Sequence, residues 1–145
     1  MKYKDFYQYL DVTLSKTKEV ATIGPSISIK IGENPKITIV KEDCIFTSRF
    51  VIFPIKIYGE NLRHLNVLIL DQKTKIIERY EPFNHHLNFC QINDLLESLL
   101  YKLMAKKKIY FLKYQTTLNT ETVLVSKNCG LYCIKYISEK IKGNK

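Results

Sequence analysis

Asn128-Cys129-Gly130-Leu131-Tyr132-Cys133-Ile134-Lys135-Tyr136-Ile137 sets a glycine directly after a cysteine and apolar residues behind it at helical spacing. This is the pattern of a thiol on the first turn of a buried helix. Unpaired backbone N–H groups and the positive end of the helix dipole favour thiolate over thiol at such a position, which lowers the cysteine pKa and makes it a nucleophile. Gly130, with no side chain beside the sulfur, lets a substrate backbone come close. The same residues also fit a cysteine that merely caps a core helix, since cysteine is often buried. A nucleophilic thiol needs a base, so the upstream sequence has to decide between the two.

The 145 residues fit a single domain, 1–145, large enough for its own core and too short for two ordinary ones. A hydrophobic fraction of 46%, with 10 Tyr and 7 Phe, argues against disorder. No apolar run reaches the roughly 18 residues of a membrane span, and the first residues, with Asp5, Asp11 and Glu19, do not form a signal peptide. The expectation is a soluble protein made in the cytosol, with no membrane partner. Its four cysteines lack framework spacing and are expected to remain thiols in a reducing compartment. A formal net charge of +9 implies attraction to polyanions, nucleic acid among them, although a Lys/Ile/Asn/Tyr-rich composition also arises in AT-rich genomes.

The chain opens with an amphipathic helix over 3–14, its stripe made of Tyr3, Phe6, Tyr7, Leu10 and Leu14. Two alternating runs, Ser26–Ile31 and Lys36–Lys41, flank Gly32-Glu33-Asn34-Pro35 and predict a hairpin, separated from the helix by Gly24-Pro25. Phe50–Tyr58, rich in β-branched and aromatic residues, predicts a strand buried on both faces, with Pro54 pointing to an edge or a bulge.

The next hairpin carries the chemistry. Leu65–Leu70 and Lys75–Tyr80 read as strands around the polar turn Asp71-Gln72-Lys73-Thr74. A turn centred between Gln72 and Lys73 sets His64 directly opposite Glu81, with Cβ atoms roughly 5 Å apart. A carboxylate at that distance holds an imidazole's tautomer and stabilises its protonated form, as a base serving a thiol requires. The same pair also reads as an ordinary cross-strand salt bridge.

Beyond Pro82, Phe83–Cys90 reads as a loop or short turn, and Asn93 or Asp94 as the cap of a helix burying Leu95, Leu96, Leu99, Leu100, Leu103 and Met104. Lys106-Lys107-Lys108 suits the negative end of that helix. Ile109–Tyr114 reads as a strand, Gln115–Thr120 as a polar loop, and Glu121–Ser126 as a short strand leading to Cys129. Strands dominate the middle, with helices at the ends and one between, an α+β arrangement.

His64, then Glu81-Pro82-Phe83, then Cys129-Gly130-Leu131-Tyr132-Cys133 is an order that resembles the adenovirus maturation protease (adenain-like) and the wider cysteine peptidase group of SUMO-specific proteases and core-protein proteases of large DNA viruses and virophages. The resemblance covers residues 50–142; residues 1–49, a helix and a hairpin, show no match. It implies a central mixed or antiparallel sheet with the cysteine helix packed against it, Cys129 as nucleophile, His64 as general base and Glu81 as its orienting acid. It further implies an endopeptidase that cleaves viral capsid or core precursor proteins during particle maturation, after a motif such as Gly-Gly or Gly-X. Such an enzyme acts in the host cytoplasm or virus factory and is packaged in the virion. Its chemistry needs no cofactor, and DNA or a peptide serves as activator. The competing readings are a deconjugase of ubiquitin-like modifiers and an inactive relative that binds nucleic acid or capsid protein.

The chain departs from the family at three places. Leu65 stands where a tryptophan usually follows the histidine. Val123 and Thr122 occupy the positions of a glutamine that helps form the oxyanion hole, so the donor has to come from elsewhere: Gln115, or Asn128 beside the cysteine. Asn128 also suits a capping role. His85-His86 with Cys90, and Cys129 with Cys133, offer ligand types for zinc, but no CxxC pair or HxxxH spacing supports a site. There is no P-loop, GxGxxG or EF-hand pattern, so nucleotide hydrolysis and calcium binding have no basis.

Overall fold

The structure, a computed structural model, describes residues 2–60, 62–82, 89–118 and 129–143; the side chains of Leu62, Phe89 and Cys90 lie outside that description. In chain order the elements are α1 (Tyr3–Ser15), β1 (Ala21–Ile23), β2 (Ser26–Lys30), β3 (Lys36–Val40), β4 (Phe50–Gly59), β5 (Leu62–Asp71), β6 (Ile76–Glu81), α2 (Phe89–Lys107), β7 (Lys113–Leu118) and α3 (Cys129–Gly143). The strands form one sheet in the order β3-β2-β4-β5-β6-β7, with β1 pairing β4 beside β2. β2–β3, β4–β5 and β5–β6 are antiparallel, whereas β1–β4, β2–β4 and β6–β7 are parallel. This is the expected α+β architecture with a mixed sheet.

Strand alternation separates two cores. Leu65, Val67, Ile69 and Tyr80 face a layer made by α1 (Phe6, Leu10, Leu14) and α3 (Cys129, Cys133, Ile137, Ile141). Leu68, Leu70 and Ile77 face the other way, onto Ile92, Leu96, Leu100, Leu103 and Met104 of α2. The buried residues of α3 other than Gly130 recur every four positions, which is the helical stripe read from the cysteine stretch. Residues 1–49 contribute α1 and three strands to this one sheet and its layers.

Pro54 was expected at an edge or a bulge, yet it sits inside β4, paired in register with Val67. Its missing N–H faces the side where β1 gives way to β2, because β1 pairs with residues 50–52 and β2 with 55–58. Gly24 fills that junction, and a Cβ there would meet Val51 Cγ1 at 2.6 Å. The internal strand therefore loses no ladder bond to the proline.

Two other boundaries differ from expectation. α2 begins at Phe89, so neither Asn93 nor Asp94 caps it; Asn93 lies inside the helix and its side chain is used elsewhere. The seventh strand is Lys113–Leu118 rather than Ile109–Tyr114. Ile109 and Phe111 pack onto the α2-side core from an irregular connection, and the polar segment pairs with β6. Tertiary pairing overrides the β propensity of the apolar run.

Candidate active site

The β5–β6 hairpin closes with Asp71 opposite Ile76, its four loop residues ending at Lys75 in the left-handed region (φ 64°). The register therefore runs Val67↔Tyr80, and Glu81 falls opposite Asn66 rather than His64, two residues from the expected pairing. A shift of two preserves the face, because side chains alternate with a period of two. His64 and Glu81 become diagonal neighbours on one face, still within reach of long side chains.

They meet. His64 Nε2 lies 2.8 Å from Glu81 Oε1 and 2.7 Å from Oε2. Both side chains are buried, His64 at 4% exposure and Glu81 at 0%. His64 projects beyond the last rung of β6, at the end of the sheet where the first turn of α3 arrives from the opposite layer. There the Cys129 side chain comes close enough to the imidazole to raise its affinity for a proton. With Nε2 turned to Glu81, Nδ1 is the nitrogen left for the sulfur.

The helix that carries Cys129 is fastened along its length. Cys133 approaches the Leu65 carbonyl, Tyr136 stacks on Tyr80 with ring centroids 4.0 Å apart, and Lys140 Nζ pairs with Glu78 Oε1 at 2.8 Å. The Tyr136 hydroxyl also donates to Glu78 Oε2 at 2.5 Å, and the Thr117 hydroxyl of β7 donates to the same oxygen. The rise of α3 is thereby fixed relative to β5 and β6, and Cys129 with it.

Burial opposes a charged imidazole, but hydrogen bonds to Cys129 and Glu81 and the charge of Glu81 outweigh it, and the His64 pKa is pushed up to about 9. The imidazolium is therefore favoured at neutral pH. Burial pushes the Cys133 thiol well up and raises Cys44 as well, which keeps both in the unreactive form. A thiol beside an imidazole that a buried carboxylate grips has the parts for nucleophilic attack and proton return.

The raised His64 pKa has a consequence for stability. A group bound more tightly to its proton in the folded state than at its ordinary 6.5 stabilises the fold fully below about 6.5, and that contribution disappears as pH rises through about 9. The shift corresponds to about 3 kcal/mol. Urea unfolding at pH 6 and pH 10 should show wild type losing about that much more stability than His64→Gln over the interval. Equal losses would mean that the native state does not hold the extra proton on His64.

Two residues at the site went unnoticed in the sequence. Asn66 Nδ2 donates to the Leu65 carbonyl at 2.8 Å and to Glu81 Oε1 at 3.4 Å. Arg79, fully buried, donates through Nη1 to Asn66 Oδ1 at 2.5 Å and stands 3.9 Å from Glu81 Oε1. The available signal was parity: Asn66 lies two places from His64, and Arg79 two places from Glu81, so each shares a strand face with its neighbour.

The oxyanion candidates fare differently. Gln115 belongs to β7, in register with Glu78, and Leu118 is the β7 residue paired with Glu81. Three residues of strand put Gln115 about 10 Å back along the sheet from the Glu81 level, and the segment expected from Gln115 as a polar loop is strand through Leu118. Asn128, the run 119–126 and His85-His86 lie outside the described residues. Among the described residues, no group of three or more His, Cys, Asp or Glu is placed to hold a metal ion, and no helix is long and apolar enough to cross a membrane.

The arrangement of strands and helices is similar to that of a solved de-sumoylating protease. The two superpose with a TM-score of 0.52 at 13% identity, over 94% of this chain and 59% of that one. The SUMO protease Ulp1 (TM-score 0.47, 16% identity, 67% of this chain and 43% of that) and ChlaDub1 of Chlamydia trachomatis (0.48, 8%, 68% and 49%) are also similar. The chain spans less than two thirds of each of these structures. No protein-family model matches the sequence. In sequence, the uncharacterized protein 082L of Invertebrate iridescent virus 3 is 34% identical over 146 aligned residues, covering 97% of this chain and 88% of that protein. The chain belongs to the family of that iridescent-virus protein.

Proposed function

We propose that this protein is a thiol endopeptidase that cleaves viral structural precursor proteins. The observation that carries the reading is the buried His64, held by Glu81 through Nε2, with Cys129 at the first turn of α3 close enough to raise its proton affinity. Cys129 attacks the scissile carbonyl as thiolate, His64 takes the thiol proton and later gives a proton to the leaving amine, and Glu81 orients the ring. The backbone N–H of Cys129 donates to the oxyanion. Asn128 stays the candidate for a second donor, since Gln115 would have to leave β7 to serve. Kinship with an iridescent-virus protein supports viral precursors as substrates, acting where particles assemble and travelling with them. The charge of +9 supports DNA as a partner and activator.

A second reading, removal of a ubiquitin-like modifier, draws on the de-sumoylating protease whose structure matches 94% of this chain. Both reactions are acyl transfers at a chain ending in small residues, so the same site serves either. Co-expression with iridescent-virus capsid and core proteins, read by mass spectrometry, should reveal cuts after Gly-Gly or Gly-X, whereas SUMO and ubiquitin carrying a C-terminal electrophile should label Cys129 poorly. Strong labelling with no precursor cleavage would favour the deconjugase. Neither would favour an inactive relative.

A further inference from the structure

Resting on the peptidase reading, we propose that Arg79 and Asn66 are positioning residues that hold the Glu81 carboxylate in the orientation from which it grips His64, with Asn93 of α2 as their anchor. Glu81 is fully buried, so its orientation depends on the groups that hydrogen-bond it. His64 occupies both of its oxygens from one side. From the other side Oε1 receives Asn66 Nδ2, and the guanidinium of Arg79 stands 3.9 Å away.

The direction of the Asn66 amide is not free. Its oxygen accepts from Arg79 Nη1, so its NH2 has to face Glu81 and the Leu65 carbonyl. Arg79 is fixed in turn through Nε, 3.4 Å from Asn93 Oδ1, which also accepts from the hydroxyls of Tyr114 (2.6 Å) and Thr116 (3.2 Å) on β7. A continuous polar path thus runs from α2 and β7 through Arg79 and Asn66 to the carboxylate that aligns the imidazole. Surface ion pairs need no such scaffold. A carboxylate, an imidazole and a guanidinium buried together are unfavourable unless each is hydrogen-bonded, and this path supplies the bonds.

The effect passes through Glu81 to His64 and on to the reactivity of Cys129, so the test reads the thiol and the imidazole rather than the fold. Iodoacetamide labelling at neutral pH, with Cys44 as the internal reference, should be at least about tenfold slower at Cys129 in Arg79→Met and several-fold slower in Asn66→Ala. Arg79→Lys, which restores the charge without the planar fork, should recover part of the rate. The imidazole Nε2–H resonance, displaced downfield by Glu81 in wild type, should move upfield in Asn66→Ala. Should Arg79→Met fail to fold, the Asn66→Ala rate and resonance decide alone. Wild-type labelling and an unmoved resonance in the Asn66→Ala variant would overturn the proposal while leaving the peptidase reading intact. Wild-type protein in which Cys129 labels no faster than Cys44 would instead sink the peptidase reading, and this proposal with it.

Discussion

Cys129→Ala should abolish turnover, lowering it at least about 10⁴-fold, because removing a nucleophile eliminates the covalent route and leaves only binding and oxyanion contacts to assist water. The change in structure should be small. Cys129 stands at the start of α3 with 4% exposure, and the Cys133, Ile137 and Ile141 stripe, the Tyr136 stack and the Lys140–Glu78 pair continue to hold the helix. Deleting one buried sulfur costs about 1 kcal/mol, so thermal unfolding should remain cooperative. The precursor cuts expected of wild type should be missing from the mass spectra of the variant. Retention of more than about one hundredth of the activity would take Cys129 out of the reaction.

Glu81→Gln should cost both activity and stability. Among the described residues, Asn66 Nδ2, the Arg79 guanidinium and the Nε2–H of His64 all present donors to the Glu81 oxygens. A carboxylate accepts from all of them, but an amide must turn its NH2 toward one. If the NH2 faces Asn66 and Arg79, donor meets donor in a fully buried site. If it faces His64, Nε2 has to become an acceptor, the proton moves to Nδ1, and the imidazole can no longer take one from Cys129. A carboxylate-to-amide exchange of this kind costs about 10⁴-fold in a serine-protease triad. Leaving Arg79 buried without its counter-charge should lower stability by about 3–5 kcal/mol. Turnover and urea midpoints measured on one preparation separate the two effects. A variant that cleaves normally would mean that Glu81 does not orient the base.

The meeting of His64 and Glu81 was legible in the sequence although the pairing drawn for it was two residues out. Period-two alternation makes any even shift harmless to the face, and a long acidic side chain spans the diagonal as readily as the direct rung. Asn66 and Arg79 were not legible, since a polar residue in an apolar strand reads equally as an outward-facing one until the partner layer is known. Asn93 illustrates the same limit. In sequence it suits a helix cap, and only the approach of β7 and Arg79 makes it an interior anchor.

By itself the sequence determined the local elements and the chemical inventory: an opening amphipathic helix, the Ser26 hairpin, a strand buried on both faces from Phe50, and a helix whose four-residue stripe starts at Cys129. These depend on periodicities of 2 and 3.6 that any window of the chain exposes. Tertiary structure alone decided what depends on distant neighbours. It set the hairpin register, through a four-residue turn ending at Lys75. It made a strand of Lys113–Leu118, because β6 offered a parallel edge to polar residues. It seated Pro54 inside the sheet, because β1 hands over to β2 opposite it. Lastly, it brought the first turn of α3 to the open end of the sheet beside His64, since a contact spanning 65 residues of chain is selected by the packing of whole layers rather than by any local preference.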